Sequence, residues 1–181
     1  MNTLADKSAR PQLALRIAGA LAVAVGGVAM IALSPGNLGG ALSHASFHLK
    51  APDLHLIARQ SPVLLTHIFS AVTALAIGIV ILSRPKGRGL HKTLGWGWVI
   101  AMASAAVSSL FLSGLNGDRM SLIHLLSGWT IIALPMAIFA IRSRKVEMHR
   151  RMMTGLFTGG LVIAGLLTFL PGRLMWDVFF S

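Results

Sequence analysis

Five stretches of mostly apolar residues, each close to the roughly 20 needed to cross a bilayer as a helix, constrain this chain more than any other feature. They run from about Ile17 to Leu33, Pro62 to Ser83, Thr93 to Gly114, Leu122 to Ile141 and Met152 to Leu170. Ser34-Pro35-Gly36 follows the first, Arg84-Pro85-Lys86-Gly87 the second and Pro171-Gly172 the fifth, so Gly and Pro stand where a helix should stop. Within hydrocarbon a backbone must satisfy its own hydrogen bonds, which leaves helices as the reading for runs of this length. Only 12% of the 181 residues are charged, against about 25% in an ordinary soluble domain.

The expected fold is therefore all-α and integral to the membrane, with five transmembrane helices. One N-terminal anchor helix precedes a four-helix bundle. Residues 1–61 would hold the N-terminal tail, the anchor helix and an outer loop; residues 62–181 would form the four-helix domain. Lys7, Arg10 and Arg16 before an apolar run also resemble a signal peptide, with Ala41-Leu42-Ser43 as a cleavage-like site. The run is long for a signal segment and the site lies far beyond its end, which favours a retained anchor.

The formal net charge is +11, but the basic residues lie in short runs between apolar stretches, so nucleic acid is not implied. Placing the N-terminus inside puts Lys7, Arg10, Arg16, Arg84, Lys86, Arg88, Lys92, Arg142, Arg144, Lys145, Arg150 and Arg151 on the inner side. Only Lys50, Arg59, Arg119 and Arg173 fall outside, and this bias predicts N-in and C-out. There are no cysteines, which excludes disulfides, thiolate metal sites, iron–sulfur clusters and covalently attached haem.

The second to fifth spans carry one histidine each, at alternating ends. His67 and His124 lie near the outer ends of the second and fourth spans; His91 and His149 lie where the third and fifth begin on the inner side. In a four-helix bundle with short connections, alternate helices stand diagonally opposite. Each pair would then face across the core, a geometry suited to a porphyrin between two axial imidazoles. Gly95 follows His91 by four residues and Gly128 follows His124 by four, so each glycine shares its histidine's face and leaves room beside a ring. His67 has Ala71 in that place, and His149 has only Gly155, six residues on. From His67 to Ser83 is about 24 Å of helix, most of the hydrocarbon thickness, so two stacked haems would link the two faces. Lys92, Arg150 and Arg151 beside the inner pair, and Arg59 and Arg119 near the outer pair, could hold propionates or an anionic substrate. A zinc or copper site at one level is the intermediate possibility.

Three further histidines, His44, His48 and His55, lie with Asp53 in the outer segment, and a short amphipathic helix from about Leu38 to Leu49 would put His44 and His48 on one face. They form a minority candidate metal site. Trp96, Trp98, Trp129 and Trp176 are expected at the interfaces. Pro135 should kink the fourth span, and Gly155, Gly159 and Gly160 should let the fifth pack closely. Asp53, Asp118, Glu147 and Asp177 all lie outside the spans, which argues against proton-driven transport. No serine nucleophile, phosphate-binding loop or metalloprotease motif stands out.

From about Leu65 to Met175 the chain resembles a bacterial family of four-helix membrane proteins of unknown function. The resemblance rests on His67 with small residues after it, Arg88-Gly89-Leu90-His91-Lys92-Thr93-Leu94-Gly95, His124 with Gly128, and Glu147-Met148-His149-Arg150-Arg151-Met152. In histidine layout that family is similar to the di-haem transmembrane cytochromes b, which pair histidines of alternate helices around two haems. The resemblance implies one or two b-type haems, His67 with His124 as an outer pair and His91 with His149 as an inner pair, in a bacterial inner membrane. It implies electron transfer between small donors and acceptors such as a quinol. The histidines here lie closer in sequence and nearer the loops than in those cytochromes, which weakens the inner pair more than the outer. A haem-free structural or accessory subunit of a larger membrane complex is the competing expectation, and a small-solute transporter the third.

Overall fold

The computed structural model of the chain describes residues 48–87, 89–112, 122–171 and 173–180. The expected anchor helix, His44 and Arg119 lie outside these residues. Helix α1 (Leu54–Ala58) and the long helices α2 (Pro62–Leu82), α3 (Gly89–Leu110) and α4 (Leu122–Arg142) come first. A continuous helical run then passes from α5 (Val146–Gly155) through a π-helical segment (Leu156–Ile163) into α6 (Ala164–Leu167), and α7 (Leu174–Phe179) closes the chain.

Local chemistry explains the boundaries. Ser61 caps α2 by accepting from the Leu64 amide at 3.3 Å, and Pro62 occupies the first turn, where its missing N–H is not needed. At the other end Ser83 Oγ and Lys86 Nζ donate to the carbonyls of Ile79 and Leu82, and Gly87 takes a left-handed φ of 85°. Helix α4 runs on through Pro135 without a break in the helix.

Three helices among the described residues are long and apolar enough to cross a membrane: Pro62–Leu82, Gly89–Leu110 and His124–Arg142. The third expected span begins four residues sooner than its apolar run, because Gly89 to Lys92 extend its first turn. The fifth expected span is helical but not one α-helix. Its glycine-rich stretch adopts π geometry, and helix extends N-terminally to the polar residues from Val146.

The sequential neighbours α2–α3, α3–α4 and α4–α5 pack together, and the π segment returns to both α2 and α4, closing a four-membered ring. Small residues line these seams. Ala74, Ala101, Ala105, Ala106, Ala133, Ala137 and Ala140 are buried, and they let backbones approach. Trp98, Met102, Leu134, Leu156 and Leu161 fill the middle. The ring of Phe157 occupies the place a Gly78 side chain would take, and the methyl of Met102 does the same at Gly160. Outward the chain is apolar: Phe69, Leu125 and Phe139 are 78%, 71% and 69% exposed, while Ser108, Ser109, Ser127 and Thr130 are buried. This inversion of the soluble pattern suits a lipid solvent, where polar groups bond across helices.

The expected helix ending at Leu49 does not reach that residue. Leu49 instead forms an antiparallel bridge with Phe180, and the amides of Lys50 and Asp53 donate to the carbonyls of Phe179 and Val178 at 3.0 and 3.1 Å. Residues 38–47 of that helix lie outside the described residues.

Candidate cofactor site

All four bundle histidines are half-buried, and the helix ends set their levels. His67 lies early in α2, beside the late part of α3. Its Nδ1 stands 2.9 Å from the carbonyl oxygen of Ala105. His149, early in α5, makes the same bond to α4, with Nδ1 2.9 Å from the carbonyl oxygen of Ala137. A carbonyl only accepts, so both imidazoles carry their proton on Nδ1 and present Nε2 as a free lone pair when neutral. That is the tautomer of histidines that ligate metals while a backbone carbonyl orients the ring.

His91 differs. Its Nδ1 is buried and has no hydrogen-bond partner. It lines a cavity of about 20 Å³ with Val80, Ile81, Arg84, Pro85, Leu90 and Leu94. His91, near the start of α3, and His149, near the start of α5, stand at the same end of the bundle. Gly95, one turn further, has no atom within 4 Å of where a Cβ would stand, and Trp98 on the same face is 3% exposed with an unpaired indole nitrogen. This stripe of α3 thus combines an orphan imidazole, an open glycine and an orphan indole.

At the opposite end the polar groups satisfy one another. Ser70 Oγ and Ser104 Oγ are 2.9 Å apart, joining α2 to α3. Ser109 and Ser127 are hydrogen-bonded and join α3 to α4. His124 is half-buried one turn before Ser127, and Gly128, like Gly95, has nothing within 4 Å of a Cβ position. The sequence signal for these serines is Ser104 and Ser108 at i,i+4 spacing within an apolar run, the kind of pattern that marks a helix seam.

The basic residues divide. Lys92 and Arg150 are exposed at the His91 end. Arg150 and Arg151 are paired to Glu147 at 3.0 and 2.9 Å. The Arg151 hydrogen bond, with the charge of Arg150 adding to it, holds the Glu147 carboxyl below its usual range. In the outer segment Asp53 caps α1, accepting from the amide of His55 at 3.1 Å, and His48 and His55 are exposed. Among the described residues no three His, Cys, Asp or Glu side chains converge as a metal site would require. Trp98 is buried in the core, whereas Trp96 and Trp129 are 56% and 58% exposed.

Helices of spanning length, with apolar exteriors and imidazoles at both ends of the bundle, define a multi-pass helical membrane protein. The chain belongs to the family DUF2306, described as a predicted membrane protein, which it matches over residues 64–177. Those bounds fall within two residues of the Leu65–Met175 stretch that carries the resemblance. No similar curated protein and no similar solved structure was found.

Proposed function

We propose that the protein is a membrane-embedded electron carrier that binds b-type haem, with His91 and His149 as the first pair of axial ligands and His67 and His124 as the second. The observation that carries this reading is the orphan Nδ1 of His91, at the end of the bundle where His149 has its own Nδ1 held by Ala137. A buried imidazole nitrogen without a partner is open to a ligand, and iron bound at that nitrogen would meet it. When bound, the haem would supply a reversible one-electron couple. The chain's own residues hold and orient it. The Ala137 carbonyl fixes the ring of His149, Gly95 leaves the α3 face open, and Arg84, Lys86 and Lys92 set positive charge at the rim for propionates. The cavity at His91 is water-sized, so haem enters only if the helices around Gly95 part.

The electrons would pass between small donors and acceptors such as a quinol, in a bacterial inner membrane with the His91 end inside. That orientation rests on the lysine and arginine bias. The competing reading is a haem-free accessory subunit of a membrane complex, favoured by the filled core around Trp98 and Phe157.

The test is an absorption spectrum of detergent-purified protein from haem-replete cells, oxidised and reduced. Reducible Soret and alpha bands are expected, with one component lost in His91→Ala and in His149→Ala. A colourless protein decides for the haem-free subunit. Full haem content in both variants overturns the inner pairing.

A further inference from the structure

Helix α4 ends in a cluster of cations that the haem reading does not use. Arg142 is its last residue, Arg144 follows in a left-handed conformation with φ 59°, and Lys145 precedes α5. The turn is closed by two bonds: the Arg144 amide donates to the Ile141 carbonyl at 3.1 Å, and the Lys145 amide to the Ala140 carbonyl at 2.8 Å. This is the helix ending that normally places glycine at the left-handed position. Arginine there is strained, and a strained residue invites a functional reading.

Three positions within four residues thus carry exposed cations, and no carboxylate among the described residues pairs with any of them. The chain's arginines at 150 and 151 are unlike these, because Glu147 holds both. The spanning segment His124–Arg142 ends on the first of the three, which sets them where hydrocarbon gives way to headgroups. Their flanks are apolar and exposed: Ile141 is 40%, Val146 61% and Met148 41% exposed. Free cations at headgroup depth, bordered by surface suited to acyl chains, match a phosphodiester carried on lipid rather than phosphate in solution.

We propose that the α4–α5 turn is a binding site for an anionic phospholipid headgroup, with Arg142, Arg144 and Lys145 as its cationic ligands. Arginine suits the phosphate oxygens through its planar fork, and lysine adds a point charge.

The test uses the full chain, delipidated in neutral detergent, with melting temperature and lipid adducts in native mass spectrometry as readouts. Phosphatidylglycerol, phosphatidylcholine and inorganic phosphate are titrated separately into the wild type and into the variant Arg142→Gln/Arg144→Gly/Lys145→Gln. Phosphatidylglycerol should raise the wild-type melting temperature and leave one more retained adduct than phosphatidylcholine. In the variant its affinity should fall by about a hundredfold, the effect of removing three interfacial cations. The lipid-free melting temperature of the variant should equal or exceed the wild type's, because glycine suits the left-handed position. A merely unfolded variant would not show that combination, and if the triple variant does not fold, Arg142→Gln/Lys145→Gln carries the same comparison. Equal responses to phosphatidylcholine, equal responses to inorganic phosphate, or an unchanged phosphatidylglycerol affinity in the variant each overturn the proposal.

Discussion

Gly78 is where the packing of the bundle meets the candidate site, and Gly78→Ala puts a number on that link. A Cβ at this position would fall on the ring edge of Phe157 and 3.0 Å from the indole nitrogen of Trp98. Neither atom is the tip of a flexible chain, so the π segment and α3 must both give way. Overpacking of this kind typically costs about 1–3 kcal/mol. Replacing glycine by alanine inside a helix offsets about 1 kcal/mol of that. The expected net destabilisation is therefore about 1 kcal/mol. Gly97→Ala is the internal standard, because its Cβ would meet only Ile77 Cδ1 at 3.6 Å, an ordinary contact. That variant should be about 1 kcal/mol more stable than wild type. The two alanines should therefore differ by about 1–3 kcal/mol. Reversible unfolding in mixed micelles, followed by tryptophan fluorescence, reads both. Phe157→Leu should rescue Gly78→Ala while destabilising the wild-type background, a coupling that a double-mutant cycle isolates. Equal stability changes in the two alanine variants, or a Phe157→Leu effect independent of residue 78, would refute the packing described for α2, α3 and the π segment.

The hydrogen-bonded pair Ser109–Ser127 predicts non-additivity: each single serine-to-alanine change should cost about 0.6–1.5 kcal/mol, and the double change no more than the dearer single one, in the same unfolding assay. Strictly additive losses would count against the bond. Glu147 has a folded-state pKa depressed below 4.5, chiefly by the Arg151 hydrogen bond, so its contribution is present above that value and lost as pH falls through the folded pKa. Melting temperature followed downward from about pH 6 should fall less steeply for Glu147→Gln than for wild type in that acid window. Asp53→Ala removes the cap of α1 and should loosen the outer segment by about 1 kcal/mol, read as faster amide exchange at His55.

Much of this architecture is legible in the apolar runs alone. The bounds of α2 and α4 fall within a residue of theirs, since Ser61-Pro62 and the basic turns punctuate them. The fifth helix is less legible, because apolarity does not distinguish α from π geometry. Only the pairing of Gly160 with Met102, a contact distant in sequence, shows why glycine stands there. Trp98 and Trp96 illustrate the same limit: two residues apart, one is core and one faces outward, and hydropathy treats them alike. The histidine levels are readable from helix direction. What each imidazole bonds is not, because Ala105 and Ala137 act through backbone carbonyls that carry no side-chain signature. The docking of α7 on residues 49–53 is likewise made of backbone bonds and leaves no periodic trace.

Under the proposed haem reading, the surroundings of each histidine, rather than its carbonyl bond, favour the His91–His149 end as the first site. His67 and His149 are chemically alike, each donating Nδ1–H to an alanine carbonyl on the adjoining helix. What differs is the company. Around His67 the neighbouring hydroxyls close on themselves: Ser108 Oγ donates to the carbonyls of Ser104 and Ala105 at 2.7 and 3.0 Å, and Ser70 meets Ser104. Those groups are satisfied by the protein. At the His149 end of the bundle, His91 keeps a buried nitrogen without a partner. An unmet buried group destabilises the folded chain by about 1–3 kcal/mol. A ligand that engages it removes that penalty, so the His91 end has more to gain from a cofactor than the His67 end. Nitrogen NMR of histidine-labelled protein should therefore report Nδ1–H tautomers for His67 and His149, with only the His91 and His149 signals shifting at the first equivalent of added haem. A first equivalent that shifts His67 instead would place the tighter site at the other end and refute this ordering.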